Sequence, residues 1–196
     1  MTMEWYVTLF GFAVLTCGTP GPNNLMLTAS GANFGVRHTL PHLLGVGLGQ
    51  PVLQLVLALG LYPLFERWPL LRLGLQIFGS LYLLWLAWKV ATASGPAEGN
   101  RPLIPALQGA MLQLLNPKAW MMALSAISGF TLAGEAYWPS AIWVLAIFFV
   151  TGLYTGAFWV LFGAQVRRLI RTARGWRRFN LGMGIATAAC VLMIWI

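Results

Sequence analysis

Two short stretches of this 196-residue chain hold residues that can bind a charged solute: TPGPNN at 19–24 and NPK at 116–118. In each, a proline follows a residue suited to capping a helix, Gly21 before Pro22 and Asn116 before Pro117. Proline is favoured at the first helical position, because the N–H it lacks would have no intrahelical partner there. Each stretch therefore predicts a helix start. Such a terminus presents unpaired N–H groups and about half an elementary positive charge, a combination that binds carboxylates. Asn23, Asn24 and Asn116 can donate and accept hydrogen bonds, which suits a zwitterion. Lys118 adds a full positive charge, or else pairs with a backbone carbonyl. The expected substrate-binding set is Thr19, Pro20, Gly21, Pro22, Asn23, Asn24, Asn116, Pro117 and Lys118.

The elements that must position these residues follow from composition. Hydrophobic residues make up 59% of the chain and charged residues 8%, and the mean hydropathy is +0.74. A soluble domain carries about 25% charged residues and could not hide this much apolar surface. The chain reads as an all-α integral membrane protein. There is no Asp, and the four Glu, at 4, 66, 98 and 135, lie at or near the ends of apolar runs. The net charge of +8 sits in short loops, where it orients the chain rather than marking a nucleic-acid partner. Glu4, in place of a basic leader, argues against a cleavable signal peptide. Cys17 and Cys190 lie in apolar runs and are not spaced as a metal or redox pair, so they read as buried free thiols with no cofactor.

A helix needs about 20 apolar residues to cross a bilayer. Six stretches qualify, near 5–28, 41–61, 70–90, 104–127, 141–164 and 179–196. The loops after the first, third and fifth spans hold Arg37, Lys89, Arg101 and six arginines between 167 and 178. The opposite side holds Arg67 and Arg72. Nine against two places both termini outside the cytoplasm. Trp5, Trp68, Trp138 and Trp195 fall at the outer ends, as an aromatic belt would. The loop-like segment 93–103 separates residues 1–92 from 104–196, three spans each. An odd number of spans per half turns the second half upside down, giving two inverted repeats in one membrane domain.

Pro22 and Pro117 are 95 residues apart, close to half the chain, so the two motifs interrupt the first and fourth spans in corresponding places. Irregular backbone at that depth needs protein or a watery cavity around it, and paired interruptions point to a transporter's substrate site. The alternative is that both are kinks serving helix packing.

Other polar positions are candidates for the substrate path or its gate: His42, Gln50, Gln54, Gln113, Thr151, Tyr154 and Thr155. Polar groups at membrane depth usually face the bundle interior. Pro41 reads as the first turn of the second span, which leaves His38 outside that helix and gives His42 an interfacial hydrogen bond. Gly45 with Gly49, and Gly152 with Gly156, are small-residue pairs suited to close helix packing. The basic run 167–178 reads as an interfacial segment held to anionic lipid.

The stretch 19–49, TPGPNNLMLTASGANFGVRHTLPHLLGVGLG, resembles the N-terminal signature of the LysE/RhtB family of amino-acid exporters. NPKAW at 116–120 and LYLLWLAWK at 81–89 are similar to later motifs of that family. The resemblance covers the whole chain and implies a multi-pass exporter of amino acids or close derivatives in a bacterial inner membrane. The branch it looks most like handles cysteine, O-acetylserine or homoserine-like compounds. No acidic residue lies at mid-membrane to receive a cationic side chain, which favours neutral substrates. Without a nucleotide-binding motif, the expected mechanism is secondary transport by alternating access, with a coupling proton and a homo-oligomer both open. A passive channel and a membrane redox protein of related fold are the alternatives. An intramembrane enzyme would need a catalytic dyad that the sequence lacks.

Overall fold

A computed structural model describes residues 1–60, 69–95 and 104–195. The expectations for Glu66, Arg67, Trp68, Glu98, Arg101 and most of the segment joining the halves lie outside the described residues, as does the side chain of Arg72. In chain order the helices are α1 (Met3–Gly18), α2 (Pro22–Ala58), α3 (Pro69–Ala91), α4 (Ala106–Leu115), α5 (Pro117–Phe130), a 3-10 turn (Gly134–Ala136), α6 (Tyr137–Leu169), α7 (Ala173–Ala189) and the short α8 (Leu192–Trp195). No strand occurs among the described residues.

Local chemistry accounts for where helices start. The Thr2 side chain accepts the Trp5 amide at 3.3 Å to cap α1, and Glu4 in the first turn complements the helix dipole. Thr172 caps α7 in the same way, accepting from Gly175 N at 3.0 Å. Both α2 and α5 begin at a proline.

By length and composition three helices can cross a membrane: Pro22–Ala58, Leu73–Ala91 and Gly134–Leu169. At 1.5 Å per residue the 16 residues of α1 rise about 24 Å, short of a hydrocarbon core of about 30 Å. The 37 residues of α2 are too many for one crossing, and they bend at Gly35, which has φ 76 and ψ 173. Positive φ is open to glycine at little cost. Thr39 Oγ1 donates to Gly35 O at 2.8 Å, and the Ser30 and Thr39 hydroxyls meet at 3.1 Å across the bend.

This bend corrects two expectations. Pro41 does not open a helix after a loop: it lies inside α2 with Pro51, because the single residue Gly35 turns the chain. His38 is consequently helical, its Nδ1 3.2 Å from Phe34 O. The basic run is likewise less loop-like than expected. Arg167 and Arg168 end α6, and α7 resumes at Ala173, before the boundary expected near residue 179.

Glycines let α2 approach its neighbours closely. A Cβ on Gly31 would strike the Val160 backbone of α6, and one on Gly163 would strike Thr28 of α2. Beyond the bend, Gly45 lies against the Ala106 backbone of α4, and a Cβ on Gly49 would sit 3.1 Å from Ala110 Cα. The expected Gly45–Gly49 packing face is therefore present. Gly156 is also tightly packed, against Leu43, whereas Gly152 faces open space.

One apolar cluster forms around Leu9, Leu53, Ala123 and Phe148, a second around Met26, Leu83 and Leu112, and a third around Leu27, Leu43 and Val160. A buried polar tie joins α2, α7 and the end of α3. Asn33 and Asn180 exchange hydrogen bonds of 2.7 and 3.0 Å, and Asn180 also donates to Ala93 O at 2.8 Å. The outer surface is apolar, with Val7, Phe78, Leu107 and Phe158 all exposed, as lipid-facing side chains are.

Candidate functional site

The chain leaves helical geometry at Thr19 and resumes it at Pro22, so α1 ends with last-turn carbonyls that lack intrahelical donors. Three other side chains supply them. Asn24 Nδ2 donates to Cys17 O and Thr19 O, both at 2.8 Å. Trp159 Nε1 of α6 donates to Gly18 O at 3.1 Å. Lys118 Nζ donates to Thr19 O at 2.7 Å, Thr19 Oγ1 at 2.8 Å and Pro20 O at 3.4 Å. Of the two roles open to Lys118, the carbonyl pairing is therefore present. On the other side of the break, Gly21 brings no side chain to cap α2, and its first-turn amides have no side-chain cap.

The second break is a single residue. Asn116 (φ −98, ψ 112) ends α4 and starts α5, and its side chain accepts the Lys118 amide at 3.1 Å. Trp120 Nε1 takes the freed Leu114 carbonyl at 2.7 Å.

The breaks meet. Gly21, Asn23 and Asn24 from the first, with Asn116 and Lys118 from the second, line a cavity of about 30 Å³. That is room for one or two waters. Gln50 of α2 and Gln113 of α4 complete its polar wall, and Ala119 and Met122 of α5 its apolar wall. Gln113 Nε2 donates to Val46 O at 3.0 Å, which turns Gln113 Oε1 towards Asn23. Asn23 Nδ2 donates to that oxygen at 2.6 Å, and Asn23 Oδ1 is left buried with no partner. Gln50 Nε2 donates to Ala119 O at 3.3 Å, and Gln50 Oε1 is also buried without a partner. An unsatisfied buried acceptor costs about 1–3 kcal/mol. Two beside one cavity mark a place where a donor-bearing ligand or water would be stabilised.

Several predicted residues lie elsewhere. Pro22 and Pro117 are the first residues of their helices, and Thr19 and Pro20 sit at the exposed edge of the first break. His42 is fully buried and neither ring nitrogen has a partner, so the expected interfacial hydrogen bond is absent. The α2 helix continues past Pro41 and carries His42 inward against Gly109 of α4. Gln54 is buried with both amide atoms unpartnered, and Thr151 Oγ1 is unpartnered too. Thr155 donates to Thr151 O at 2.8 Å. Tyr154 does not face inward: at 78% exposure it lies on the outer surface of α6.

The sequence reading missed Met122, Ala119, Trp120 and Trp159. The tryptophans carried a signal, since an indole N–H within an apolar span needs an acceptor. The two apolar residues carried none.

A multi-pass helical protein with a polar cavity where two helix breaks meet has the features of a membrane transporter. Residues 8–194 match the family model described as LysE type translocator, and the chain belongs to that family. It is thus a transporter rather than an enzyme. It is 28% identical over 195 residues to a cysteine/O-acetylserine efflux protein of Salmonella choleraesuis (strain SC-B67), covering 99% of each chain. It is 27% identical over 196 residues to a protein of the same description from Escherichia coli O1:K1 / APEC, again covering 99% of each. No solved structure matches the chain.

Proposed function

We propose that the protein exports small neutral amino acids or close derivatives from the bacterial cytoplasm, as a secondary transporter of the inner membrane. The observation that carries this reading is the distribution of hydrogen-bonding groups around the cavity. The uncapped start of α2 and the ammonium of Lys118 favour a carboxylate. Asn23 Oδ1 and Gln50 Oε1 are free acceptors for an ammonium group. A zwitterion offers both. No Asp or Glu lines the cavity to receive a cationic side chain. Relatives described as cysteine/O-acetylserine efflux proteins support the same substrate class.

The six-span reading pairs α1 with the part of α2 before Gly35, and α4 with α5, as the two broken spans. The part of α2 after Gly35, α3, α6 and α7 with α8 are the others. Two inverted halves then put both termini on one side, and the nine-against-two bias of basic residues makes that side the outside. Support for alternating access comes from Lys118, which ties the second half to the break of the first by three hydrogen bonds. A substrate carboxylate competes with those carbonyls and loosens the tie. Residues His42, Gln54, Thr151 and Thr155 are buried polar positions suited to a path on either side of the cavity.

Efflux from cells loaded with a panel of amino acids, with and without the gene, tests this reading. Lys118→Ala at normal membrane abundance is expected to lose most export. Undiminished export by that variant would reduce the paired breaks to packing features.

A further inference from the structure

We propose that Met122 sets the maximum length of the side chain the cavity admits. This rests on the substrate reading above, because it uses the carboxylate end as its origin. Every other lining residue apart from Ala119 and Gly21 brings a side-chain nitrogen or oxygen to the cavity. Ala119 is almost wholly buried, and its carbonyl is occupied by Gln50. Met122 is the large apolar group on the wall, and it also packs against the cluster around Leu9, Ala123 and Phe148. It therefore separates the polar cavity from the apolar interior.

Its distance from Lys118 sets a scale. Residues four apart on a helix share a face, so Met122 stands one turn beyond Lys118 on α5, a rise of about 6 Å. A zwitterion whose carboxylate is held at Lys118 and the start of α2 sends its side chain along α5. With carbon–carbon bonds of about 1.5 Å, a side chain of two or three heavy atoms fills that rise. A longer one meets the Met122 thioether. As it stands the cavity has room for only one or two waters, so it must widen for any amino acid, and a longer side chain must displace this one as well. Methionine is flexible and yields by rotation, which makes the limit graded.

The test measures export of alanine, serine, cysteine, methionine, leucine and phenylalanine from cells expressing wild type, Met122→Ala, Met122→Leu or Met122→Trp, each normalised to membrane abundance. Met122→Ala is expected to raise methionine and leucine export about tenfold relative to serine, the discrimination that one methylene can carry. Met122→Trp is expected to lose those substrates while keeping alanine and serine, and Met122→Leu to resemble wild type. Unchanged ratios in both Met122→Ala and Met122→Trp would overturn the proposal. If one of these variants fails to reach the membrane, the other decides. Gln50→Leu and Lys118→Ala in the same panel separate the two readings. Export intact in those variants, with ratios still moved at Met122, would overturn the carboxylate-end reading and leave a length filter. Export lost in them, with ratios unmoved at Met122, would overturn the filter alone. A wild type that exports none of the panel overturns both.

Discussion

The two breaks look alike in sequence and are built in opposite ways. The second closes itself: Asn116 caps α5, and Trp120 takes the freed Leu114 carbonyl, all within seven residues. The first closes itself only in part: Asn24 of the same motif takes Cys17 O and Thr19 O. Its remaining support comes from two distant helices, Trp159 in α6 on Gly18 O and Lys118 in α5 on Thr19 O, and its N-terminal amides lack a side-chain cap. A self-contained break is a rigid post, and here it delivers Lys118. A break held by two distant helices is one that a ligand competing for those donors would loosen. On the proposed mechanism, the first break would be the mobile element and the second the fixed reference.

Asn24 gives the largest expected difference. Asn24→Ala removes the donor shared by Cys17 O and Thr19 O. Thr19 O keeps Lys118, but Cys17 O loses its side-chain donor at a cost of about 1–3 kcal/mol, so the protein should lose several degrees of thermal stability in detergent and most of its export. Asn116→Ala removes one cap, worth about 1 kcal/mol. Equal losses for the two variants would break the contrast between the sites.

Gly21→Ala probes the junction itself. The Gly21 backbone is extended (φ −176), so alanine suits the conformation. Its Cβ would lie 2.9 Å from Lys118 Cδ and 3.2 Å from Nζ. The far end of a flexible lysine can move, so stability should change by less than about 1 kcal/mol. Export should fall severalfold, because the ammonium is displaced from its place between the breaks. A stable variant with normal efflux would show that the position of Lys118 is unimportant.

Trp159→Phe keeps the apolar bulk and removes the donor to Gly18 O. The expected cost is about 1 kcal/mol, read as a small shift in thermal unfolding. Export should fall more than this shift implies if the first break is the moving part.

The breaks themselves were legible because Pro, Gly and Asn in an apolar run leave few backbone choices. Their partners were not. Lys118 and Trp159 lie about 100 and 140 positions from the carbonyls they serve, and no local pattern encodes that. The bend in α2 was misplaced because Pro41 looks like a helix start, while Gly35 shows its role only through its positive φ. Tyr154 and Thr155 illustrate a further limit. Neighbours on a helix are about 100° apart, and where α6 is apolar on every side the amphipathic pattern does not say which faces inward. The structure exposes Tyr154 and buries Thr155.

The smallest expected effect gives the finest test of the comparison. If Asn116 serves mainly to cap α5, serine should replace it, because its hydroxyl can accept the Lys118 amide that Asn116 Oδ1 accepts at 3.1 Å. Serine and asparagine are near equals at a helix N-cap, differing by a few tenths of a kcal/mol. Asn116→Ser should then unfold and export almost as wild type does, and Asn116→Ala should be measurably less stable. But Asn116 also lines the cavity, and its amide group has a donor that serine cannot reproduce in place. Export that falls in both variants, with stability kept in the serine one, would move Asn116 from rigid support to substrate contact. The second break would then share the first one's role in holding the solute.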